Sequence, residues 1–336
     1  MKVCNCCQRK FENVQDLVKY GSRWQVCNRG YFWFNCECKS TLIVKENWQN
    51  LVQMEDFLDE PFKTIAFNLN VSNKLPKRSS DFMSFRMEID SDDFDPPKIA
   101  KRIKNHPIFA ANVLKTANSL KTVDSGKIDN VLHAITYFGK EKLLQILDLL
   151  AIQGASSPCK IFNLENFWQE EIAKANMGIK FSHKFLPNVE LDRVYLATSL
   201  MNLGKVVQAY TNPVATDRVA RDFSDRRNKY TWAQLEAEHG LYDHSALGFI
   251  GCSLWGIDKD YGEVAFYHRR PFQSPKHLRK LSVASFLASE IYHWKNFKPF
   301  LLDEKTMDKC LDFIGVSRKI FEKYIDDLVE EEEEAS

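Results

Sequence analysis

Apolar residues recur every three or four positions along most of the chain, which is the spacing of one face of an α-helix. The stretch DPPKIAKRIKNHPIFAANVLKTANSL predicts two such helices in succession. Pro97 suits the first turn of one helix, with Ile99 and Ile103 facing inward. Pro107 begins the other helix, in which Ile108 faces inward.

A third helix is predicted from Ile128 to about Asp148, in KIDNVLHAITYFGKEKLLQILDLL. Gly139 inside it marks a break or a close contact between helices. The helical spacing continues from about 163 to 210 and from 231 to 330, whereas the intervening RVARDFSDRRNKYTW, with its alternating acids and bases, favours a loop. No run of alternating strands follows the N-terminal segment, so the larger part of the chain is predicted to be all-α.

The first fifty residues differ, because they contain the β-prone run GYFWFNCECKSTLIV and six of the nine cysteines. Cys4 and Cys7 have C-x-x-C spacing, and Cys36 and Cys38 form a second pair. Closely spaced cysteines in a cytosolic chain favour metal binding over disulfides. Four thiolates at the base of a small ribbon would bind Zn²⁺ tetrahedrally, so we predict a structural zinc in a small Cys-rich β domain of the zinc-ribbon type.

Two alternatives to this zinc site stay open. Cys6 and Cys27 could replace one of the four ligands, and the cysteines could instead be buried or redox groups.

A segment this short would depend on the metal for its folding. Its basic and aromatic residues could also bind nucleic acid, but the acidic residues among them favour a solvated basic face.

Composition narrows the classes of function. The 336 residues carry 46 basic and 45 acidic side chains, and the net charge of +1 provides no general attraction to nucleic acid or to an anionic membrane. No apolar run is long enough to span a bilayer, and MKVCNCC lacks the apolar centre of a secretory signal. We therefore expect a cytoplasmic protein that does not bind membranes.

Changes in composition along the chain divide it into five predicted parts. NVSNKLPKRSS resembles a linker, and the final DDLVEEEEEAS is a run of like charge. The parts are a Cys-rich domain at 1–50, a connecting segment at 51–71, a helical domain at 72–300, C-terminal helices at 301–329 and an acidic tail at 330–336.

Four stretches of the helical domain stand out, in the order NHPIFAANVLKTANSL, IDNVLHAITYFGKEKLLQIL, AEHGLYDHSALGFIGCSLWGID and VAFYHRRP. In order and spacing they resemble the segments of the HDOD domain, an all-helical bacterial signalling module related to the HD phosphohydrolases. The most specific matching parts are the Ala-Asn-Ser triplet 117–119, the stretch Ala134–Gly139, and His244 followed by Gly248 and Trp255. The resemblance implies an HD-like helical fold and a regulatory role without established catalysis.

The resemblance does not extend to the metal ligands of the HD hydrolases. Those enzymes use a histidine from one helix, a His-Asp pair from a second and a later aspartate to hold metals that activate water. At the matching positions this chain has Glu170, Met201 and Asn202. Methionine is a poor ligand for a hard metal, and asparagine lacks the charge of a carboxylate. The chain is therefore predicted not to be an enzyme.

A polar set in the same region is the candidate ligand pocket. It consists of Glu238, His244, His268, Arg269 and Arg270, and the resemblance implies that the helices bearing the two histidines lie close together. The basic stretch YHRRPFQSPKHLRKL contains no acid and is where a phosphate or nucleotide would first be expected. Isolated hydrogen-bonded histidines and a solvated basic patch are the alternatives.

Three functions follow from these observations. We predict a non-catalytic signal-transduction or regulatory protein that binds a protein partner or a small anionic ligand through its helical domain. One alternative is a metal-dependent phosphohydrolase with the displaced ligands Glu170, His244 and His268. The other is a nucleic-acid-binding regulator that uses the zinc ribbon and the basic stretch.

The zinc site can be tested by elemental analysis of the purified protein. We expect one zinc per chain, and its loss when Cys4, Cys7, Cys36 and Cys38 are changed to serine, because thiolates are the required ligands. Zinc that persists in those variants would contradict the predicted ligand set.

Overall fold

A computed structural model provides the three-dimensional structure of the chain. It describes residues 2–3, 8, 10–11, 21–27, 31–36, 41–45, 75, 80–105, 107–120, 128–153, 156–226, 230–297 and 304–334.

Residues 1–75 form one compact unit, and its described elements are β-strands. Strand β1 (Lys2–Val3) pairs antiparallel with β2 (Lys10–Phe11). Strands β3 (Gly21–Cys27), β4 (Tyr31–Cys36) and β5 (Thr41–Lys45) form a second antiparallel sheet, with β4 in the centre. The central strand contains the whole aromatic run YFWF, in keeping with the preference of aromatic residues for strands.

The predicted zinc site is not shown by the described residues. Cys4, Cys7 and Cys38 lie outside them, and only the backbone of Cys36 is described, at the end of β4. The zinc ligands and the zinc-ribbon character of this unit therefore stay predictions.

The strand register narrows the choice of ligands. Cys36 pairs with Gly21 at one end of the β3–β4 ladder, and Cys27 is opposite Tyr31 at the other end. At ~3.3 Å per residue, the two ends of β4 are about 16 Å apart. Cys27 and Cys36 cannot bind the same ion at that separation.

Residues 76–336 form the second unit, whose described residues are predominantly helical, as predicted. Two short 3₁₀ turns, Pro271–Gln273 and Lys276–Leu278, precede the helix Arg279–Phe297. Its described α-helices are α1 Ser80–Asp90, α2 Pro96–Lys104, α3 Pro107–Leu120, α4 Val131–Gln153, α5 Leu164–Phe185, α6 Leu191–Leu200, α7 Leu203–Thr211, α8 Pro213–Arg226, α9 Trp232–Glu238, α10 His244–Leu254, α11 Lys259–Tyr267, α12 Arg279–Phe297, α13 Glu304–Ile314 and α14 Arg318–Glu334.

The two helices predicted from the first apolar pattern are confirmed as α2 and α3. Ile99 and Ile103 of α2 are buried, whereas the side chain of Ile108 lies outside the described residues. Asn118, in the Ala-Asn-Ser triplet, binds the backbone of Ile128 through both ends of its amide: Nδ2 donates to the Ile128 carbonyl at 2.8 Å, and Oδ1 accepts from the Ile128 N–H at 2.9 Å. This pair of bonds joins α3 to the start of α4.

The predicted break at Gly139 is confirmed. Gly139 has φ +68° and ψ 178° inside α4, a conformation that glycine adopts without the cost that a Cβ would impose. The helix starts three residues later than predicted, at Val131, because the Asn130 side chain accepts the backbone N–H of His133 at 2.9 Å and caps it. It ends at Gln153, beyond the predicted Asp148.

The prediction of a loop in RVARDFSDRRNKYTW is wrong, because most of this segment belongs to α8. Asn212 caps the helix by accepting the N–H of Ala215 at 3.2 Å, and Val219 is fully buried. Asp217 also turns its carboxylate onto three successive backbone N–H groups of residues 160–162, at 2.8–2.9 Å. The alternating charges therefore cover the exposed face of an amphipathic helix.

The core of the second unit forms where α5 packs against α6 and α12. The C-terminal helices α13 and α14 pack on α12, and Phe181 of α5 makes edge contacts with Phe321 and Tyr324 of α14, at centroid distances of 5.8 and 5.5 Å. Helix α14 continues to Glu334, into the predicted acidic tail. Among the described helices, none combines the length and the apolar character that crossing a bilayer requires.

Helices α7 and α10 touch backbone to backbone. A Cβ added at Gly204 of α7 would lie 1.7 Å from the carbonyl oxygen of His244 and 2.7 Å from the backbone nitrogen of Gly248, both in α10. Only glycine at position 204 allows this approach.

We expect Gly204→Ala to lower the free energy of unfolding by about 3 kcal/mol or more, because a backbone carbonyl cannot move aside as a side chain can. Gly262→Ala is the matched control, since its Cβ would meet only side-chain atoms of Phe249 and Cys252, at 3.2 and 3.3 Å. Its effect should stay within about 1.5 kcal/mol, helped by the higher helix propensity of alanine. Equal effects of the two variants in urea unfolding would contradict the assigned contact.

Candidate functional site

A cavity of about 520 Å³ opens in the helical unit, within the size range of small-molecule sites. Phe223, Trp232 and Phe286 form part of its wall. Many of the other lining residues are polar, and they come mainly from α5, α7, α10, α12 and the connections after α6 and α11; they include Glu170, Lys174, Asn202, Lys205, His244, His268, Arg269, Ser289 and His293.

A buried ion cluster holds α5 against the turn between α6 and α7. The Lys174 side chain is 1% exposed, and its ammonium lies 2.6 Å from a carboxylate oxygen of Glu170 and 2.8 Å from one of Glu171. The amide nitrogen of Asn202 donates to both oxygens of Glu171, at 3.1 and 3.0 Å. The cluster therefore satisfies the buried ammonium and the fully buried Glu171 carboxylate together.

The pKa values of this cluster keep its charges in place. Burial disfavours the Lys174 ammonium, but Glu170 and Glu171 outweigh that effect and raise its pKa. Burial also opposes the Glu170 carboxylate, but Lys174 lowers the pKa of that group to about 2. Lys174 is thus a permanent internal cation.

The positions of the metal ligands of HD hydrolases converge on this cavity. Glu170, Met201 and Asn202 line it together with His244 and His268. The ammonium of Lys174 already bonds to the Glu170 and Glu171 carboxylates and supplies positive charge where a metal ion would otherwise supply it. With a methionine and an asparagine as the neighbouring groups, this side of the cavity does not fit a hydrolytic metal centre.

A second buried network begins at Trp232 and runs through α7 and α9. The indole N–H of Trp232 donates to Oε1 of Gln208 at 3.0 Å. The amide nitrogen of Gln208 donates to Oε2 of Glu236 at 2.6 Å and to the carbonyl of Tyr242 at 2.7 Å. The backbone N–H of His244 donates to the same Glu236 oxygen at 3.2 Å.

The network continues through two histidines. Nδ1 of His244 lies 3.0 Å from Oε1 of Glu236, and Nε2 of His244 lies 3.3 Å from Nε2 of His268. Nδ1 of His268 faces the carbonyl of Ala265 at 2.7 Å, so this nitrogen carries a proton and Nε2 of the neutral ring accepts. His244 must then donate from Nε2. The proton between Nδ1 of His244 and Glu236 belongs to Glu236, because burial raises the pKa of Glu236 and lowers that of His244. With that proton, each hydrogen bond of the network has one donor and one acceptor.

The pKa directions agree with this assignment of protons. Burial raises the pKa of Glu236 to about 8, although hydrogen bonds such as the one from Gln208 oppose the shift. Burial lowers the pKa of His244 well below its usual value, and the charges of Lys205 and Arg269 lower it further. Burial also lowers the pKa of His268. At neutral pH this is a chain of uncharged groups.

Glu236, Asp243 and His244 offer ligand atoms within 4.8 Å of one another, which is a candidate arrangement for a cation. Asp243, however, pairs with Arg269 at 2.5 Å, and Arg269 lowers its pKa to about 2 against the effect of burial. Glu236 and His244 are bonded to each other in the neutral network. The positive potential of the nearby Lys and Arg side chains also disfavours a divalent cation here.

The structure brings together three of the five predicted pocket residues. His244 and His268 are in contact, and Arg269 lies beside them at the cavity. Glu238 and Arg270 are exposed and are not among the residues that line this cavity. In α9 the side chain that turns inward is Glu236, two positions before Glu238, and Arg270 precedes a 3₁₀ turn at the surface.

Sequence reasoning missed most of the buried polar partners. Helical spacing gives a partial signal for some of them: Glu170 and Lys174 are an i,i+4 pair, and Trp232 and Glu236 are another. Lys205 lies three residues after Asn202. No pattern in the sequence distinguishes these inward-facing polar groups from ordinary surface charges.

Comparison with known proteins gives a family and a fold. A family model described as the HDOD domain matches residues 75–271. A search of curated proteins finds no match.

Several solved structures share the fold at low identity. An HDOD domain protein with unknown function from Geobacter sulfurreducens is 15% identical, with a TM-score of 0.53, over 84% of this chain and 95% of that chain. A candidate phosphohydrolase from Shewanella amazonensis SB2B is 16% identical, with a TM-score of 0.55, over 78% and 93%. A candidate signal transduction protein from Marinobacter aquaeolei VT8 is 17% identical, with a TM-score of 0.56, over 84% and 64%. The likeness to these proteins extends to the fold alone.

The protonated state of Glu236 predicts a pH-dependent effect of Glu236→Gln. Its folded pKa of about 8 exceeds the ordinary 4.5, so the unfolded chain releases a proton that the folded protein retains. Wild type therefore loses stability as pH rises through this window, and the variant does not share that loss. From pH 5 to pH 8, the unfolding free energy of the variant minus that of wild type should increase by a few kcal/mol. The expected slope is about 1.4 kcal/mol per pH unit.

Urea unfolding at pH 5, 6.5 and 8 measures this difference. Glu238→Gln is the control, because Glu238 is exposed on the same helix, and its difference from wild type should stay constant. A constant difference for Glu236→Gln as well would show that Glu236 is ionised in the folded protein.

Proposed function

The chain belongs to the HDOD domain family, and on this premise we propose that it is a non-catalytic regulatory protein whose degenerate HD-like helical domain binds a small ligand or a protein partner. The proposal places it in a signalling pathway of the bacterial cytoplasm. A relative of the same fold bears the name of a candidate signal transduction protein, in keeping with this role.

The observation that carries the proposal is the ion cluster at Lys174. HD hydrolases need carboxylates and imidazoles that are free to bind metal and activate water. Here the ammonium of Lys174 bonds to both Glu170 and Glu171, while Met201 and Asn202 take the place of the His-Asp pair. A cavity built in this way can bind a ligand, but it offers no metal-activated nucleophile.

The main alternative is a phosphohydrolase, the candidate activity of one relative from Shewanella amazonensis. It would require His244 and His268 to turn free nitrogens toward a metal. Their Nε2 atoms are instead hydrogen-bonded to each other. The charges of Lys205 and Arg269 also lower the pKa of both rings. The regulatory function is therefore the better supported of the two.

Lys174→Met tests whether the ammonium supplies the charge of a missing metal. The variant leaves Glu171 buried without its cation, and we expect it to lose about 3–5 kcal/mol of stability. Mn²⁺ or Mg²⁺ should raise the melting temperature of this variant, because the freed carboxylates can bind the ion, and should leave wild type unchanged. Lys180→Met, at an exposed position of the same helix, is the control and should behave as wild type.

Hydrolysis gives an independent measurement on the wild-type protein. With Mn²⁺ and bis(4-nitrophenyl) phosphate we expect the rate seen with Mn²⁺ alone. Hydrolysis by the protein that disappears in His244→Ala would overturn the proposal, as would stabilisation of wild type by metal to the same extent as Lys174→Met.

A further inference from the structure

Three cationic side chains line the cavity, and two of them form ion pairs at contact distance. Lys174 is bonded to two carboxylates, and Arg269 is paired with Asp243 at 2.5 Å and donates to Ser245 at 3.1 Å. Lys205 differs, because no carboxylate among the described residues lies within 4.0 Å of its ammonium, although Glu170 and Glu171 act on it from a longer distance. It is therefore the cavity cation that has a contact position open for an anionic group.

The ammonium of Lys205 lies over an aromatic wall. Its Nζ is 4.9 Å from the ring centroid of Trp232, which is a cation–π distance. The ring of Trp232 is fixed by its bond to Gln208, and Phe223 contacts it at a centroid distance of 5.7 Å. A cation held beside rigid aromatic faces is suited to a ligand that has both an anionic group and a flat apolar part.

The other ionisable groups around Lys205 leave it charged at neutral pH. Burial and the neighbouring charge of Lys174 lower its pKa to about 8, and the Glu171 and Glu170 carboxylates partly oppose this effect. An anion bound at Lys205 would favour the charged form, so the affinity for an anion should fall as pH rises above 8.

We propose that the cavity binds a small organic anion with a carboxylate or phosphate group on an aromatic body, the anionic group contacting Lys205 and the aromatic body contacting Trp232. This inference rests on the proposed function, since it names the class of ligand for the same site. The apolar wall explains why a bare inorganic anion would not suffice. The unpaired ammonium explains why a neutral aromatic molecule would not either.

Isothermal titration of the full-length protein at pH 7 and low salt can test each half of the ligand separately. Phenyl phosphate and benzoate have the aromatic ring with either anionic group, benzyl alcohol has the ring without charge, and inorganic phosphate has the charge without a ring. We expect one site per chain for phenyl phosphate, benzoate or both. Benzyl alcohol and inorganic phosphate should bind at least about tenfold more weakly than the better aryl anion.

Variants locate the binding site within the chain. Lys205→Met should weaken binding of the aryl anion at least about tenfold, and Lys205→Arg, which keeps the charge, should retain most of it. Lys280→Met is the matched control, because Lys280 is an exposed member of the basic stretch where phosphate was first expected from sequence. Circular dichroism and melting temperature confirm that each variant is folded, and Lys205→Gln, which also removes the charge, takes the place of Lys205→Met if that variant does not fold.

The outcomes separate this inference from the proposed function. Three results would overturn the inference and leave the non-catalytic role intact. These are failure of both aryl anions to bind, binding of benzyl alcohol as tight as that of the aryl anions, and loss of binding in Lys280→Met but not in the Lys205 variants. Release of inorganic phosphate from bound phenyl phosphate in the presence of Mn²⁺ would overturn the non-catalytic role while supporting the ligand class. Tight binding of benzoate alone would assign a carboxylate ligand, and of phenyl phosphate alone a phosphate ligand.

Discussion

The close approach of two helix backbones determines where the cavity groups lie. Gly204 has no Cβ, and this lets α7 contact the carbonyl of His244 at the start of α10. Lys205, the next residue of α7, is thereby placed in the same cavity as the His244 ring. A larger residue at position 204 would separate the helices and remove the geometry on which both the neutral network and the ligand cavity depend.

The unit buries polar groups by two different physical means. The Lys174 cluster stays charged, because opposite charges at short distance outweigh the cost of their burial. The network from Trp232 to His268 is uncharged, because a single proton on Glu236 satisfies the hydrogen bonds along it. Among the described residues, neither network places a carboxylate in contact with the Lys205 ammonium. The ligand proposed above would therefore meet Lys205 and not the members of either network.

The sequence predicted the parts of this structure that depend on local periodicity. The spacing of apolar residues identified α2 and α3, the break at Gly139 and, with the family resemblance, the meeting of His244 and His268. It failed for α8, because the alternating charges on the exposed face of this helix outnumber the residues of its narrow buried face, which includes Val219. It also failed for the inward-facing polar residues, because whether a glutamate or lysine is buried depends on a partner helix far away in the sequence. For the cysteine-rich unit, the zinc site stays a prediction from the sequence.

The Lys174 cluster also has an evolutionary consequence. A chain with this cluster cannot regain a metal centre by a single substitution, because loss of the lysine leaves buried carboxylates uncompensated while Met201 and Asn202 still cannot serve as the missing ligands. A metal centre at this position would therefore require the lysine and its neighbours to change together.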